Sequence, residues 1–239
     1  MEKQKKEILD FFKGLDFDEK AHQYFVNGDK IKLSVSGIIK KFVEVFDTQG
    51  ISKRVAERRG VSQESILKQW DNEKDRACKK GTEVHLFGEL YPFNKHLKPR
   101  NKHEEAVVSF WNDLPSNIVP VVMEIQMFHK EHLFAGTADI LLYNTVTKKY
   151  IIGDYKTNKD LFKNYRQKKM LGIFSNLLDS PYNKYQLQLS FYQILLEQAG
   201  VEVSSRKLIW LKPDGKYELY STEDYTEVLR DWLSKNKLS

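Results

Sequence analysis

Residues 132–157 read HLFAGTADILLYNTVTKKYIIGDYKT, and the fold class turns on them. Two apolar runs, 132–143 and 148–157, are separated only by a short polar stretch, so the segment reads as two antiparallel strands joined by a tight turn. In the second run alternate side chains share a face. Ile152, Asp154 and Lys156 therefore point one way, and Ile151, Gly153 and Tyr155 the other. The same hairpin lays Asp139, set among apolar neighbours in the first run, beside Asp154.

Working outward, IVPVVMEIQMFH (118–129) is a further strand rich in Val and Ile. Downstream, a basic connection leads to a helix over 181–200, with Pro181 near its start and Gly200 at its end. A second hairpin, 206–222, turns at Pro213-Asp214-Gly215, and a helix capped by Thr222 closes the chain. Three strands, a helix, two strands and a helix predict an α/β fold, a mixed central sheet with helices packed on it. Ahead of this core, 1–14 reads as a short charged helix and 22–35 as a hairpin turning at Asn27-Gly28. Ser34 or Ser36 caps a helix through 37–46, and 52–91 is mostly helical with a break at 59–61. The expectation is a single domain over 1–239, with a hairpin-and-helix region in 1–115 and the catalytic α/β core in 116–239.

Composition narrows the function classes. A chain of 239 residues can bury a sizeable core. The one cysteine, Cys78, excludes an intrachain disulfide, a CxxC zinc site and a cysteine-held iron–sulfur cluster within one chain. This suits a reducing, cytoplasmic setting. The opening MEKQKKEILDFF has no signal-peptide pattern, and no run approaches the ~20 apolar residues of a membrane helix. The net charge is +6, and between Thr145 and Met170 eight Lys or Arg stand against Asp154 and Asp160, which accounts for all of it. Positive charge concentrated in this way suits a phosphate-bearing partner.

The chemistry gathers around IIGDYKT. An Asp and a Lys at the end of an apolar strand are costly to bury without a purpose, although a simple ion pair or a solvated strand end explains a bare DxK as well. Asp139 beside Asp154 adds weight to the chemical reading. Adjacent carboxylates repel, and a hard divalent cation such as Mg²⁺ or Mn²⁺ resolves the conflict. Lys156 then orients a water or steadies a pentavalent phosphorus. Together these groups suit phosphodiester hydrolysis.

With Asp139 and the strand 151–157 in place, the sequence resembles the PD-(D/E)XK nuclease superfamily, most closely its RecB-type and phage exonuclease branches. GTEVHLFGE (81–89) resembles their G-T-x-x-H-x-x-x-E helix, which implies that His85 is a metal ligand. Glu124 sits on the strand before Asp139, where the family often carries a glutamate. Gln188 and Tyr192 match its Q-x-x-x-Y signature. The H-x-Y…NG…SVS pattern of 22–36 also recurs in phage-type members. The resemblance implies a restriction-endonuclease-like core and a Mg²⁺- or Mn²⁺-dependent deoxyribonuclease. It further implies exonuclease action in phage or bacterial recombination, repair or end processing, with DNA ends as substrate and no iron–sulfur cluster. A structure- or site-specific endonuclease and a non-catalytic DNA-binding scaffold are the rivals. The family's proline before its first Asp is replaced here by Ala138.

The implied site comprises Asp139, Asp154, Lys156, Glu124, Gln188 and Tyr192, with His85, Asp139, Asp154 and the Tyr155 carbonyl toward the metal. Each has a plainer alternative: a structural histidine, an exposed strand face for Glu124, helix packing for Gln188 and Tyr192. Glu89 shares the helix face of Gly81 and His85 and could bond the imidazole, while Gly81 would admit a backbone or phosphate. After the lysine strand, Lys159, Lys163, Tyr165, Arg166, Lys168 and Lys169 read as a nucleic-acid contact, with Phe162 or Tyr165 stacking on bases, or else as a solvated face. Trp70 and Trp111 read as core or lid packing, with base stacking as the alternative.

Overall fold

The computed structural model describes residues 2–19, 21–236 and 238, so Met1 of the expected first helix lies outside them. Helix α1 (Glu2–Phe11) is followed by strands β1 (Leu15–Asp18), β2 (Gln23–Val26) and β3 (Asp29–Lys30), an antiparallel three-stranded sheet. Asn27 and Gly28, at φ 51° and 89°, make the β2–β3 turn as expected. Strand β1 is an addition to that hairpin.

The central sheet takes β4 (Leu33–Ser34), β5 (Ile118–Phe128), β6 (Phe134–Asn144), β7 (Tyr150–Lys156), β8 (Val203–Leu211) and β9 (Tyr217–Ser221). Its order is β4-β6-β7-β8-β9, with β5 on the other side of β6. β5–β6, β6–β7 and β8–β9 are antiparallel; β4–β6 and β7–β8 are parallel. The mixed α/β class holds, and the sheet draws one short strand, β4, from the first 115 residues.

Helices α2 (Val35–Ile39), α3 (Thr48–Arg59), α4 (Gln63–Leu90), α5 (Lys102–Asp113), α6 (Pro181–Glu197) and α7 (Thr226–Lys235) complete the fold. Ser34 caps α2 through Gly37 N–H, but the helix passes into a 3-10 turn and ends by Phe42, short of the expected 46. Gly60, left-handed at φ 62°, ends α3, and Ser62 caps α4, which is the anticipated break. Thr222 is not the cap of the last helix. Its N–H donates to the Arg206 carbonyl, and the helix begins four residues later, where the Asp224 carboxylate accepts from Thr226 N–H. α5, not resolved by the sequence reading, is capped by Asn101.

Both faces of the sheet are covered. Val84 and Phe87 of α4, with Ala106, Val107, Phe110 and Trp111 of α5, pack on Ile140, Leu142, Tyr155 and Ile209. α6 leads the opposite layer, packing Leu187, Phe191 and Leu195 in one core with Ile152, Leu141 and residues of α1, α2 and α7. Among the described residues no helix is long and apolar enough to cross a membrane.

One feature of the pairing makes the cleft. On the side of β6 away from β5, β4 pairs with residues 134–135 and β7 with residues 140–143. Residues 136–139 lie at the fork between them. β7 keeps its ladder to β8 as far as Lys156 while parting from β6 after Gly153. The sheet therefore opens at Asp139.

Candidate active site

Asp139 stands at that fork. Its Oδ2 accepts the Tyr155 N–H at 2.7 Å, so a carboxylate replaces the lapsed ladder bond between the diverging strands. The same oxygen lies 3.3 Å from Nδ1 of His85, which is 3.7 Å from Oε1 of Glu124. Ligand atoms of His85, Glu124 and Asp139 all lie within 4.8 Å of one another. Glu124 falls between Met123 and Ile125, whose partners Ile140 and Ala138 flank Asp139, and Asp154 follows Gly153, where the β6–β7 pairing ends, so three carboxylates lie in a row across the fork.

Glu124 reaches this row through an unusual backbone. Its φ is +49° in the middle of β5, a conformation that L side chains rarely adopt. Regular alternation would send Met123 and Glu124 to opposite faces, yet both line the cleft. β5 is an edge strand and the Glu124 side chain is one-third exposed, with its carboxylate turned toward His85.

Asp154 and Lys156 form a second constellation on the same strand face. Both are buried or nearly so, and Lys156 Nζ pairs with Asp154 Oδ2, which has no hydrogen-bond partner beyond this ammonium. The ammonium also lies 4.3 Å above the Tyr185 ring. Burial and the Asp139 charge push the Asp154 carboxyl up to about 6, against the pull of Lys156. Burial disfavours the Lys156 ammonium, but Asp154, Asp139 and Tyr185 outweigh it and hold its pKa above the ordinary value. His85 behaves likewise: burial acts against its charge, and Asp139 and Glu124 raise it to about 10. Asp139 is the carboxylate held low, because His85, Lys156 and the Tyr155 N–H offset its burial. Burial, with the Asp139 charge, raises Glu124.

His85 as imidazolium supplies positive charge beside Asp139 and Glu124; a divalent ion bound through its Nδ1 would take the place of that proton. One imidazole nitrogen and two carboxylate oxygens are a donor set that suits such an ion. Asp154 is not a member of this three-residue cluster. Tyr155 contributes its N–H, and its ring is buried on the opposite face, where Trp111 Nε1–H donates to its hydroxyl at 2.7 Å.

Gln188 and Tyr192 are neighbours on α6, joined by a 2.6 Å bond from Gln188 Nε2 to the Tyr192 hydroxyl, and both line the cleft. Gly81, His85 and Glu89 share the cleft wall as the helix spacing predicts, but Glu89 makes no hydrogen bond to the imidazole. Gly81 faces open space. The glycine that sets the helix position is Gly88, where an added Cβ would lie 2.5 Å from the Tyr155 ring. Gly136 is similar, its Cβ position lying 2.7 Å from Tyr192. The sequence reading passed over Gly88, Gly136 and Tyr185; Gly88 lies inside the motif it quoted.

The basic connection is less uniform than its composition. Lys148 and Lys149 lie at the far end of β7 from Lys156, and Lys149 pairs with Glu202. Lys168 is 3.0 Å from Glu44 and 4.0 Å from Asp179. Lys159, Lys163, Arg166 and Lys169 are exposed, as is Tyr165 beneath the Lys163 ammonium. Phe162 packs its ring tilted against Tyr182 and edge-on to Tyr220. None of these residues lines the cleft. No family model matches the chain, and no curated protein matches it.

Proposed function

We propose that the protein is a metal-dependent deoxyribonuclease of the PD-(D/E)XK kind, acting on DNA ends. The observation that carries this reading is the adjacency of two constellations at one fork in the sheet: His85, Glu124 and Asp139 with converging ligand atoms, and the buried Asp154–Lys156 pair beside them. Neither serves the core well. Together they gather four charged groups and an imidazole at one fork, with His85 and Glu124 lining the cleft and the others buried or nearly so behind them, an arrangement that suits chemistry with a cation and an anion.

In this reading His85, Glu124 and Asp139 hold Mg²⁺ or Mn²⁺, and the mixed donor set suits Mn²⁺ at least as well as Mg²⁺. The ion supplies Lewis acidity toward a phosphoryl oxygen and toward water. The chain's own groups do the rest. Asp139 ties the metal cluster to β7 through the Tyr155 N–H, so ion position and Lys156 position are mechanically linked. Lys156, outside the cleft lining, keeps a positive charge near Asp139, where it would steady a phosphoryl group drawn to the ion. Asp154 holds the Lys156 ammonium in place beside Asp139. Gln188 and Tyr192 offer an amide and a hydroxyl to the substrate backbone.

The test is digestion of end-labelled single- and double-stranded DNA by EDTA-treated protein, with and without added Mg²⁺ or Mn²⁺. Cleavage restored by either ion supports the reading, and metal-free cleavage at the full rate refutes it. Closed circular DNA in the same assay separates end-dependent from internal cutting; resistance of the circle is the expected result.

A further inference from the structure

The cleft around the site has a cavity volume near 860 Å³. That lies in the range of pockets that enclose one small organic molecule, about 300–1,000 Å³, and admits a nucleotide or two rather than a duplex. Among the described residues that line it there is no Lys or Arg, while Glu19, Glu89 and Glu124 do line it. Apart from a bound ion, the groups of this lining that can meet a phosphate backbone are the His85 imidazole and neutral polar side chains such as Gln188 and Tyr192. Further affinity inside the cleft comes from another part of the substrate.

The walls supply it. Phe17 and Tyr24 of the β1–β2 hairpin have ring centroids 4.5 Å apart at 35°, and Phe17 and His22 are 5.4 Å apart at 44°. This aromatic face is fixed to the cleft floor, because the Tyr24 hydroxyl and Thr137 Oγ1 share a 2.9 Å hydrogen bond. Across from the sheet floor, α4 presents Leu86, 52% exposed, next to His85. Met123 lies next to Glu124 on the floor itself. Apolar surface thus begins one residue away from two of the three candidate ligands. A flat apolar ring joined to a phosphate is the substrate piece that matches both.

We propose that the cleft is a base-stacking site for an unpaired nucleotide at the end of a DNA strand, its base against Phe17, His22 and Tyr24 and its phosphate toward His85, Glu124 and Asp139. The proposal rests on the nuclease reading and narrows its substrate to unpaired ends. The experiment compares three DNA probes in Ca²⁺ buffer: an oligonucleotide with an unpaired terminal base, the same strand with an abasic terminal nucleotide, and a blunt duplex. Each end of the strand is tested, and 2-aminopurine at the terminal position reports stacking by quenching. The expected result is about tenfold tighter binding of the base-bearing unpaired end than of the other two, as one stacked base commonly provides, with quenching at that end. Phe17→Leu, which keeps apolar volume and leaves the Tyr24–Thr137 bond in place, should erase both the preference and the quenching. Equal affinity of wild-type protein for base-bearing and abasic ends, or a preference for the blunt duplex, overturns the proposal without any appeal to the variant. The same probes in Mg²⁺ or Mn²⁺ keep the two ideas apart. Cleavage with equal affinities removes the base site alone, whereas failure to bind or cut any DNA removes the nuclease reading and the base site with it.

Discussion

Asp154 and Lys156 are each other's principal partners in a buried place, which makes their substitutions informative about both stability and chemistry. Lys156→Met should lower cleavage by about 100-fold or more, the usual consequence of losing one preorganised charge. It should also destabilise the fold by about 3 kcal/mol, because Asp154 is left buried without a counter-charge. Adding Asp154→Asn should return part of that stability and none of the activity. Denaturant unfolding and turnover of the two variants check this; near-normal turnover in Lys156→Met would falsify the role given to the lysine. These two residues and Asp139 were legible in the sequence because strand alternation and polar residues in apolar runs are local signals. The φ of Glu124 was not, since no residue type announces a left-handed glutamate. A separate residue-scale prediction concerns His129, whose Nδ1 accepts the N–H groups of Glu131 and His132. Burial, then the charges of His132 and Arg230, lower its pKa to about 4. A proton on Nδ1 would also set a donor against two donors. The unfolded chain takes up that proton near pH 6.5 and the folded one only near 4, so this contribution to stability is full above 6.5 and is lost as pH falls between those values. The slope has a ceiling of about 1.4 kcal/mol per pH unit, and solvent near this half-buried ring reduces it. His129→Asn, which offers an oxygen in the same turn geometry, should flatten unfolding free energy between pH 6.5 and 5.

At the scale of elements, the position of α4 decides whether His85 reaches the carboxylate row. That position depends on Gly88 lying against the Tyr155 ring. The ring cannot yield, since it is buried and its hydroxyl is held by Trp111. Gly88→Ala should therefore push the helix outward, cost about 1–3 kcal/mol by overpacking, and weaken Mn²⁺ affinity through the displaced imidazole. Gly81→Ala should have the opposite sign in stability, a gain of up to about 1 kcal/mol, because its Cβ meets nothing and alanine favours helix interiors. Denaturant midpoints and Mn²⁺ titration of the two variants check both; a stable Gly88→Ala with unchanged Mn²⁺ affinity would remove this glycine from the positioning of His85. The long elements were legible because periodicity and caps repeat over many residues, as in β5, β6, β7 and α6. β4 was not. Two residues carry no period, and its seat on β6 is a long-range pairing that gives no local sign. For the same reason the fork that opens the cleft was invisible, although Ser34 or Ser36 was expected as a helix cap.

At the scale of the whole molecule, the +6 charge that the sequence crowds into one stretch is divided by the fold. β7 separates Lys148 and Lys149 from Lys156 by its own length, roughly 20 Å for seven residues. Glu202 pairs with Lys149, Asp154 with Lys156, and Glu44 and Asp179 lie beside Lys168. Composition registers charges, but only the tertiary fold shows which of them are already paired. Lys159, Lys163, Arg166 and Lys169 stand exposed, and none forms a salt bridge among the described residues. If a DNA strand whose end enters a cleft without lysine or arginine is to gain affinity from phosphate pairing, this exposed set outside the cleft is a suitable source. Each phosphate neutralised releases condensed counterion, which for single strands contributes a slope of about 0.7 in log affinity against log salt. Changing Lys159, Lys163, Arg166 and Lys169 to Gln should therefore flatten the salt dependence of single-strand binding in Ca²⁺ by roughly two to three units. Lys168→Gln alone should leave that slope unchanged, because its ammonium already faces two carboxylates. Cleavage at saturating DNA should change little in the fourfold variant, since these residues position the strand outside the reacting groups. An unchanged slope would assign the segment to the solvated surface and move the DNA path to the exposed Lys53, Arg54, Arg58 and Arg59 of α3.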